Sequence, residues 1–268
     1  MTPIFYDTHA HLDFPEFAED TVAVIERAQA EGIARVITIG TDLESSLRAL
    51  KLAEQFPQVF AAIGWHPGHA GQAPPDVRPL LRPLASHPKV VAIGETGLDY
   101  HHAPPDNHTR EKQQNIFRQQ LEIAIEYGLN CVIHQRDALD DVLSVMQPFA
   151  GKVRGVFHCF VNSPEDLQRV LAIGSLVSYT GIVTFKNAAS VRETLAATPL
   201  DKFFLETDSP YLAPVPFRGK RSEPAYVKEI ADVVARSKGC SLEDLSRATC
   251  LTAHRFFSKL TPATESRV

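Results

Sequence analysis

The residues best suited to chemistry stand near the start of the chain, in Asp7-Thr8-His9-Ala10-His11, directly after the apolar run Ile4-Phe5-Tyr6. Alternate side chains of a strand share a face, so His9 and His11 project together about 7 Å apart, with Asp7 one layer deeper. Two imidazoles at the end of a buried strand can hold a divalent cation if other His, Asp or Glu side chains join them. Residues of that kind recur at the ends of later apolar runs, as Glu95, His134, His158 and Asp208. A His-x-His pair is common by chance. Six buried imidazoles and carboxylates converging on one point is a different matter, because without a cation nothing offsets their lost hydration.

Convergence requires a frame. Short β-branched runs at 4–9, 34–39, 59–65, 90–94, 130–134, 155–158, 176–179 and 203–207 alternate with amphipathic stretches at 21–31, 43–55, 109–127, 138–149, 164–173 and 188–197. Two closing helices are expected at 223–237 and 242–260. Gly32, Gly128 and Gly174 follow helical patterns directly and suit left-handed helix caps. Regular βα alternation builds a parallel sheet, and eight units in this length predict a TIM-type (β/α)8 barrel, a single domain over 1–262 with 263–268 as a frayed tail. A doubly wound open sheet is the alternative, but its first turn usually carries a glycine-rich phosphate loop, and here that turn holds His9-Ala10-His11.

In such a barrel the candidate ligands share the C-terminal rim, where barrel enzymes do their chemistry. Strand eight closes beside strand one, bringing Asp208 to His9 and His11. Strands four, five and six are neighbours and carry Glu95, His134 and His158. Glu95 is then common to both groups, and its two oxygens can bridge ions about 3.5–4 Å apart. Two divalent ions against Glu95, Asp208 and one hydroxide leave a positive site, which favours an anionic substrate.

Composition narrows the field. The 268 residues are 44% hydrophobic and 22% charged, with a formal charge of −5, which argues against coating nucleic acid by bulk charge. Cys131, Cys159, Cys240 and Cys250 form no C-x-x-C pair, so reduced thiols in a cytoplasmic protein are expected. No secretory leader is visible, and no apolar run approaches the roughly 18 residues of a membrane span.

The motifs Asp7-Thr-His-Ala-His-Leu-Asp13, Gly64-Trp-His66-Pro67, Ile93-Gly-Glu95-Thr-Gly-Leu-Asp99-Tyr100, Ile133-His134-Gln-Arg136, Phe157-His158-Cys-Phe160, Leu205-Glu-Thr-Asp208-Ser-Pro-Tyr-Leu-Ala-Pro214 and Arg218-Gly219 run from end to end of the chain. Together they resemble the amidohydrolase superfamily and, within it, the TatD-like metal-dependent deoxyribonucleases. The resemblance implies a barrel, two divalent ions (Mg²⁺, Mn²⁺ or Zn²⁺) on His9, His11, Glu95, His134, His158 and Asp208, and exonucleolytic phosphodiester hydrolysis of DNA by a metal-activated hydroxide. It departs from the family pattern at Asn162, where glycine is usual, and at Ser222, where asparagine is usual. Asparagine tolerates the left-handed backbone that a glycine supplies.

Neighbouring residues carry two readings each. Arg136 offers a bidentate fork to a phosphate, or else an ion pair to Asp137 or Asp140. His66 binds substrate or braces the turn at Pro67. Glu206 tunes a ligand from behind or pairs with a buried base, and Asp7 is placed behind the ligands in the same way. Arg218, Lys220 and Arg221 form a basic loop that could grip a nucleic-acid backbone, or a solvated charge run. His101, His102 and His108, in the loop after Glu95, touch substrate or are only solvent-exposed, while His69, His87 and His254 read as structural. The expected activity is hydrolysis of DNA ends or single strands, with RNA as a further substrate and Asp208 and Glu95 as the catalytic carboxylates. Alternatives are hydrolysis of another bond, such as an aminoacyl-tRNA ester, and a non-catalytic metal-binding scaffold.

Overall fold

Each of the eight apolar runs forms a strand of one parallel sheet, β1 (Phe5–Ala10), β2 (Ile33–Ile39), β3 (Val59–Ile63), β4 (Val90–Asp99), β5 (Asn130–Arg136), β6 (Gly155–Phe157), β7 (Leu176–Tyr179) and β8 (Phe203–Leu205), paired in chain order. The computed structural model describes residues 3–102 and 107–263. Edge meets edge at the top of the barrel, where Asp208 N donates to His9 O at 2.9 Å and His11 N to Ser209 O at 2.8 Å. The two ends of the sheet are therefore fastened at His9, His11 and Asp208, three of the candidate ligands.

Helices α1 (Thr21–Ala30), α2 (Leu43–Gln55), α3 (Arg78–Ala85), α4 (Asn107–Glu126), α5 (Leu139–Met146), α6 (Pro164–Ala172), α7 (Ala189–Ala197) and α8 (Val227–Lys238) alternate with or follow the strands, and α9 (Leu242–Phe256) ends the fold. Gly32, Gly128 and Gly174 adopt the expected left-handed φ of 82°, 64° and 76°. Inward side chains such as Ile37, Phe60, Val91, Val132 and Phe204 fill the barrel, and Phe256, Phe257 and Leu260 close its lower end. Full burial of each such side chain is worth about 1.5–3 kcal/mol. An apolar floor leaves only the upper rim for polar chemistry. No helix among the described residues is long and apolar enough to cross a membrane.

Three features differ from the sequence reading. Helix α3 was not expected, because Pro79 and Pro83 break its pattern; Pro79 sits in the first turn, where no amide hydrogen bond is lost. Strand β4 does not stop at Gly94 but continues through Glu95 to Asp99. The 263–268 tail lies outside the described residues except for Ala263, whose N donates to Tyr6 Oη at 3.4 Å.

The register explains how the rim is built. Pairing steps from Asp7↔Val36 to Ala10↔Thr38 and from Ile93↔Cys131 to Thr96↔Ile133, so β1 and β4 each carry one extra residue beside a ligand. Such bulges re-aim side chains next to active sites. Gly94 lies within the second, where a Cβ would be 2.7 Å from Val132 Cβ, and Gly97 follows it, where a Cβ would lie 2.1 Å from His134 O at a φ of +133°. Buried glutamines of α4 bind the strand ends that lack a neighbour. Gln120 accepts from Trp65 N at 2.7 Å and donates to Trp65 O at 3.0 Å, while Gln113 brackets Asp99 N and O at 3.0 Å each.

Candidate metal centre

The six expected ligands meet at the rim, with His66 beside them. Glu95 lies at the middle, 3% exposed, and its two oxygens face different partners. Oε2 is 3.7 Å from His9 Nε2 and 3.9 Å from His11 Nε2. Oε1 is 2.9 Å from His134 Nδ1, 2.8 Å from His158 Nε2 and 3.5 Å from His66 Nε2. Asp208 Oδ1 completes the first group, 3.6 Å from His9 Nε2 and 3.5 Å from His11 Nε2. Asp208 takes a left-handed φ of 56°, which aspartate tolerates.

A cation fits these groups. His9 Nε2 faces His11 Nε2 at 3.3 Å, and His134 Nδ1 faces His158 Nε2 at 3.3 Å. Two imidazole lone pairs at that distance repel unless a proton or a cation lies between them. An ion with bonds of about 2.0–2.1 Å in tetrahedral geometry holds its donors about 3.3 Å apart. Groupings of His9, His11 and Asp208 and of His66, Glu95 and His134 are each compact enough to hold an ion, as is a deeper one of His9, His158 and Glu206.

Hydrogen bonds behind the rings decide which nitrogen carries the lone pair. His11 Nδ1 lies 3.2 Å from Ile39 O, so it bears the proton and leaves Nε2 free toward the centre. His134 Nε2 lies 3.0 Å from Asp99 Oδ2, which leaves Nδ1 free. His66 is the opposite case: its Nδ1 accepts from Gly68 N at 3.0 Å, so Nε2 carries hydrogen and acts as a donor rather than a ligand. Burial pushes His66 down to about 3, keeping it neutral. Burial also holds His9 well below the usual imidazole range, with neighbouring imidazoles adding to the effect. For Glu95 burial acts upward, but the imidazoles gathered around it, His158 first, prevail and hold it well below the carboxylate range.

The carboxylates behind the ligands do different jobs. Glu206 Oε1 accepts from Cys159 N at 2.7 Å and lies 3.7 Å from His158 Nδ1, directly behind that ring. Asp7 touches no ligand ring. Its carboxylate accepts from Thr207 N at 2.9 Å, Thr207 Oγ1 at 2.6 Å and His9 N at 3.3 Å, tying β1 to the segment that carries Asp208. The β1 bulge is why Asp7 does not line up beneath His9 and His11 as simple alternation implies.

The cleft above the centre, about 560 Å³, is lined by Arg136, Asp99, His69, His102, Phe14 and Tyr211 as well as the ligands. Arg136 is exposed and forms no ion pair among the described residues; Asp137 is held by His101 at 2.8 Å and Asp140 by Arg169 at 2.5 Å. The basic loop is divided. Arg221 binds Asp20 at 2.7 Å, and Arg218 lies 3.8 Å over the Phe185 ring and donates to Ala213 O. Neither Arg218 nor Lys220 lines the cleft. His87 and His254 are structural, facing Glu54 at 3.3 Å and Tyr6 Oη at 2.9 Å. Asn162 is not left-handed; that role in the turn belongs to Cys159, at φ 49°. Ser222 N donates to Pro210 O at 2.9 Å, and its buried hydroxyl has no partner among the described residues.

Sequence reasoning missed Asp99, His69, Phe14 and Tyr211 as parts of the cleft, whereas His102, one of the loop histidines weighed as substrate contacts, does line it. For Asp99 a signal existed: with β4 extended, Glu95, Gly97 and Asp99 alternate along one strand.

A parallel barrel with imidazoles and carboxylates gathered at the C-terminal ends of its strands defines a metal-dependent hydrolase. The chain belongs to the TatD family: the model described as TatD related DNase matches residues 6–258. It is 40% identical over 255 residues to a Bacillus subtilis protein named as an uncharacterized metal-dependent hydrolase, YabD, covering 95% of this chain and 99% of that one. It is 34% identical over 260 residues to the 3'-5' ssDNA/RNA exonuclease TatD of Erwinia tasmaniensis, covering 94% of this chain and 99% of that one. The crystal structure of YJJV, a TatD homologue from Escherichia coli, superposes with a TM-score of 0.88 at 28% identity, covering 96% and 98% of the two chains.

Proposed function

We propose that this protein hydrolyses phosphodiester bonds at the ends of single-stranded DNA, with RNA as a second substrate, and that it uses two divalent ions, Mg²⁺, Mn²⁺ or Zn²⁺, to do so. The observation that carries the reading is Glu95, whose two oxygens face separate nitrogen groups, as a bridging ligand requires. His9, His11 and Asp208 would hold one ion, and His134 and His158 the other. Bound there, the ions would supply positive charge to the phosphoryl oxygens and make water acidic enough to attack near neutral pH. Relatives named as ssDNA/RNA exonucleases support the substrate class.

The protein's own groups then divide the work. Asp208 uses one oxygen in the first group, and its second oxygen accepts the proton of the attacking water. His66 donates from Nε2 to a phosphoryl oxygen, and Arg136 holds the neighbouring phosphate through its unpaired fork. Glu206 orients the His158 ring from behind. The four cysteines, all free thiols, support a cytoplasmic location.

Metal analysis of the purified protein, alongside cleavage of end-labelled single-stranded DNA, RNA and an aminoacyl-tRNA with each ion, tests the reading. Two ions per chain are expected, with both lost in Glu95→Ala and one lost in His134→Ala. A single ion that survives Glu95→Ala, or activity confined to the aminoacyl ester, overturns it.

A further inference from the structure

Among the described residues Tyr211 is the only exposed phenylalanine, tyrosine or tryptophan, at 51%, and it stands in the lining of the cleft. Its position is fixed. Tyr211 N donates to Asp208 O at 2.9 Å, so the ring is tied by one turn to a ligand, and the same turn is held from outside by Ser222 N on Pro210 O. Phe14, from the loop after β1, lies with its ring 6.3 Å from Tyr211 at 77° and stacks on His11 at 4.5 Å and 21°. The two rings thus form an aromatic wall that begins at a metal ligand and ends in solvent.

No cation lines this side of the cleft among the described residues: Arg218 and Lys220 stand outside it, and Arg221 is paired with Asp20. Across the barrel a groove of about 650 Å³ is lined by Asp137, Asp140, Asp141 and Asp166 together with Arg136 and Arg169; Arg169 is taken by Asp140 and Asp166, which leaves Arg136 as the one lining cation without an ion pair among the described residues. What the β1–β8 side offers is a π face. Every nucleobase has one to match, whatever its sequence.

We propose that Tyr211, braced by Phe14, is a stacking platform for the base next to the scissile phosphate, and so selects unpaired ends. The proposal rests on the nuclease reading above. At a duplex end the terminal base shows only its outer face and stays paired to the complementary strand, which would have to enter the cleft with it, whereas a single-stranded or frayed end brings one free base to the Tyr211 ring. Tyr211 is a positioning residue here; it holds the nucleotide while other groups act on phosphorus.

The test combines kinetics with a binding signal. Tyr211→Ala is expected to raise KM for single-stranded oligonucleotides about tenfold or more, with a smaller effect on kcat, while Tyr211→Phe keeps the wild-type value. Replacing the terminal nucleotide by an abasic residue should raise KM in the wild type by a similar factor, and the two changes together should add little to either alone. Phosphorothioate-protected oligothymidine carrying 2-aminopurine at one end or the other should be quenched on binding the wild type and Tyr211→Phe, but not Tyr211→Ala. Phe14→Leu should weaken the quench with metal content unchanged. Wild-type cleavage of DNA together with full quenching and unchanged KM in Tyr211→Ala overturns the platform alone. A wild-type protein that neither cleaves nor binds the oligonucleotides overturns the nuclease reading and the platform together.

Discussion

Asp99 gives the sharpest test of how the site is held. Its carboxylate accepts four hydrogen bonds: Oδ1 from His101 N and His102 N, and Oδ2 from His102 Nδ1 and His134 Nε2, each at 3.0 Å. Asparagine has the same shape but only one acceptor oxygen. If that oxygen stays with the two backbone amides, the new NH₂ group points at His134 Nε2–H, donor against donor. If it turns toward His134, the NH₂ group meets two amide N–H groups instead. Either arrangement loses two bonds: the first leaves His134 without its partner, and the second keeps that bond only by giving up the two backbone amides that fix the carboxamide in place. Removing such a partner of a metal-binding histidine costs roughly tenfold to a hundredfold in affinity, about 1.4–2.7 kcal/mol. Asp99→Asn should therefore weaken one of the two binding steps when metal-free protein is titrated with Zn²⁺ or Mn²⁺ against a competing chelating dye. The step belonging to His9, His11 and Asp208 should hold. An unchanged isotherm, or equal weakening of both steps, would refute the assignment of Asp99 to His134.

Asp208→Asn should lower kcat by about 10²–10⁴ with a smaller change in KM; recovery of most of the rate at saturating metal would show that another group takes the proton. Gly97→Ala should disturb the β4–β5 contact at His134, because its Cβ would meet His134 O at 2.1 Å. Loss of metal from the His134 group and a lower Tm are expected, and a variant with wild-type metal content and Tm would contradict that contact. Burial pushes the Cys250 thiol up to about 12 and raises Cys131 and Cys159 as well, so in the native protein Cys240 should be the first to react with a thiol reagent at pH 8; rapid modification of Cys131 would contradict the packing. Since Arg221 is committed to Asp20, nucleic-acid affinity should fall with salt at a slope of only roughly two to four phosphate contacts, and a slope nearer eight would count against local, end-on binding.

The barrel, and the candidate ligands it gathers at one rim, were legible in the residues. Strand and helix periods are local properties, and the eightfold alternation of β-branched runs with amphipathic stretches admits few architectures. His9, His11, Glu95, His134, His158 and Asp208 could be named because barrel strands deliver their C-terminal ends to one rim. The facing of each side chain was not legible to the same degree. Alternation predicts a face only while the register is unbroken, and bulges in β1 and β4 break it at Asp7–Ala10 and Ile93–Thr96. Gly94 reads as the end of a strand, whereas it and Gly97 are the points where β4 approaches β5, so the strand and Asp99 with it were cut short.

Tertiary structure alone decided the protonation of the rings and the fate of the basic loop. His134 is aligned by Asp99, 35 residues away, and Arg221 is taken out of the substrate path by Asp20, 201 residues away. His66 is made a donor by Gly68, only two residues on, but through a turn whose geometry depends on Gln120 gripping Trp65 from α4. A sequence specifies which groups are present. Which nitrogen keeps its lone pair, and which cation stays unpaired, is set by hydrogen bonds that exist only once distant segments have packed.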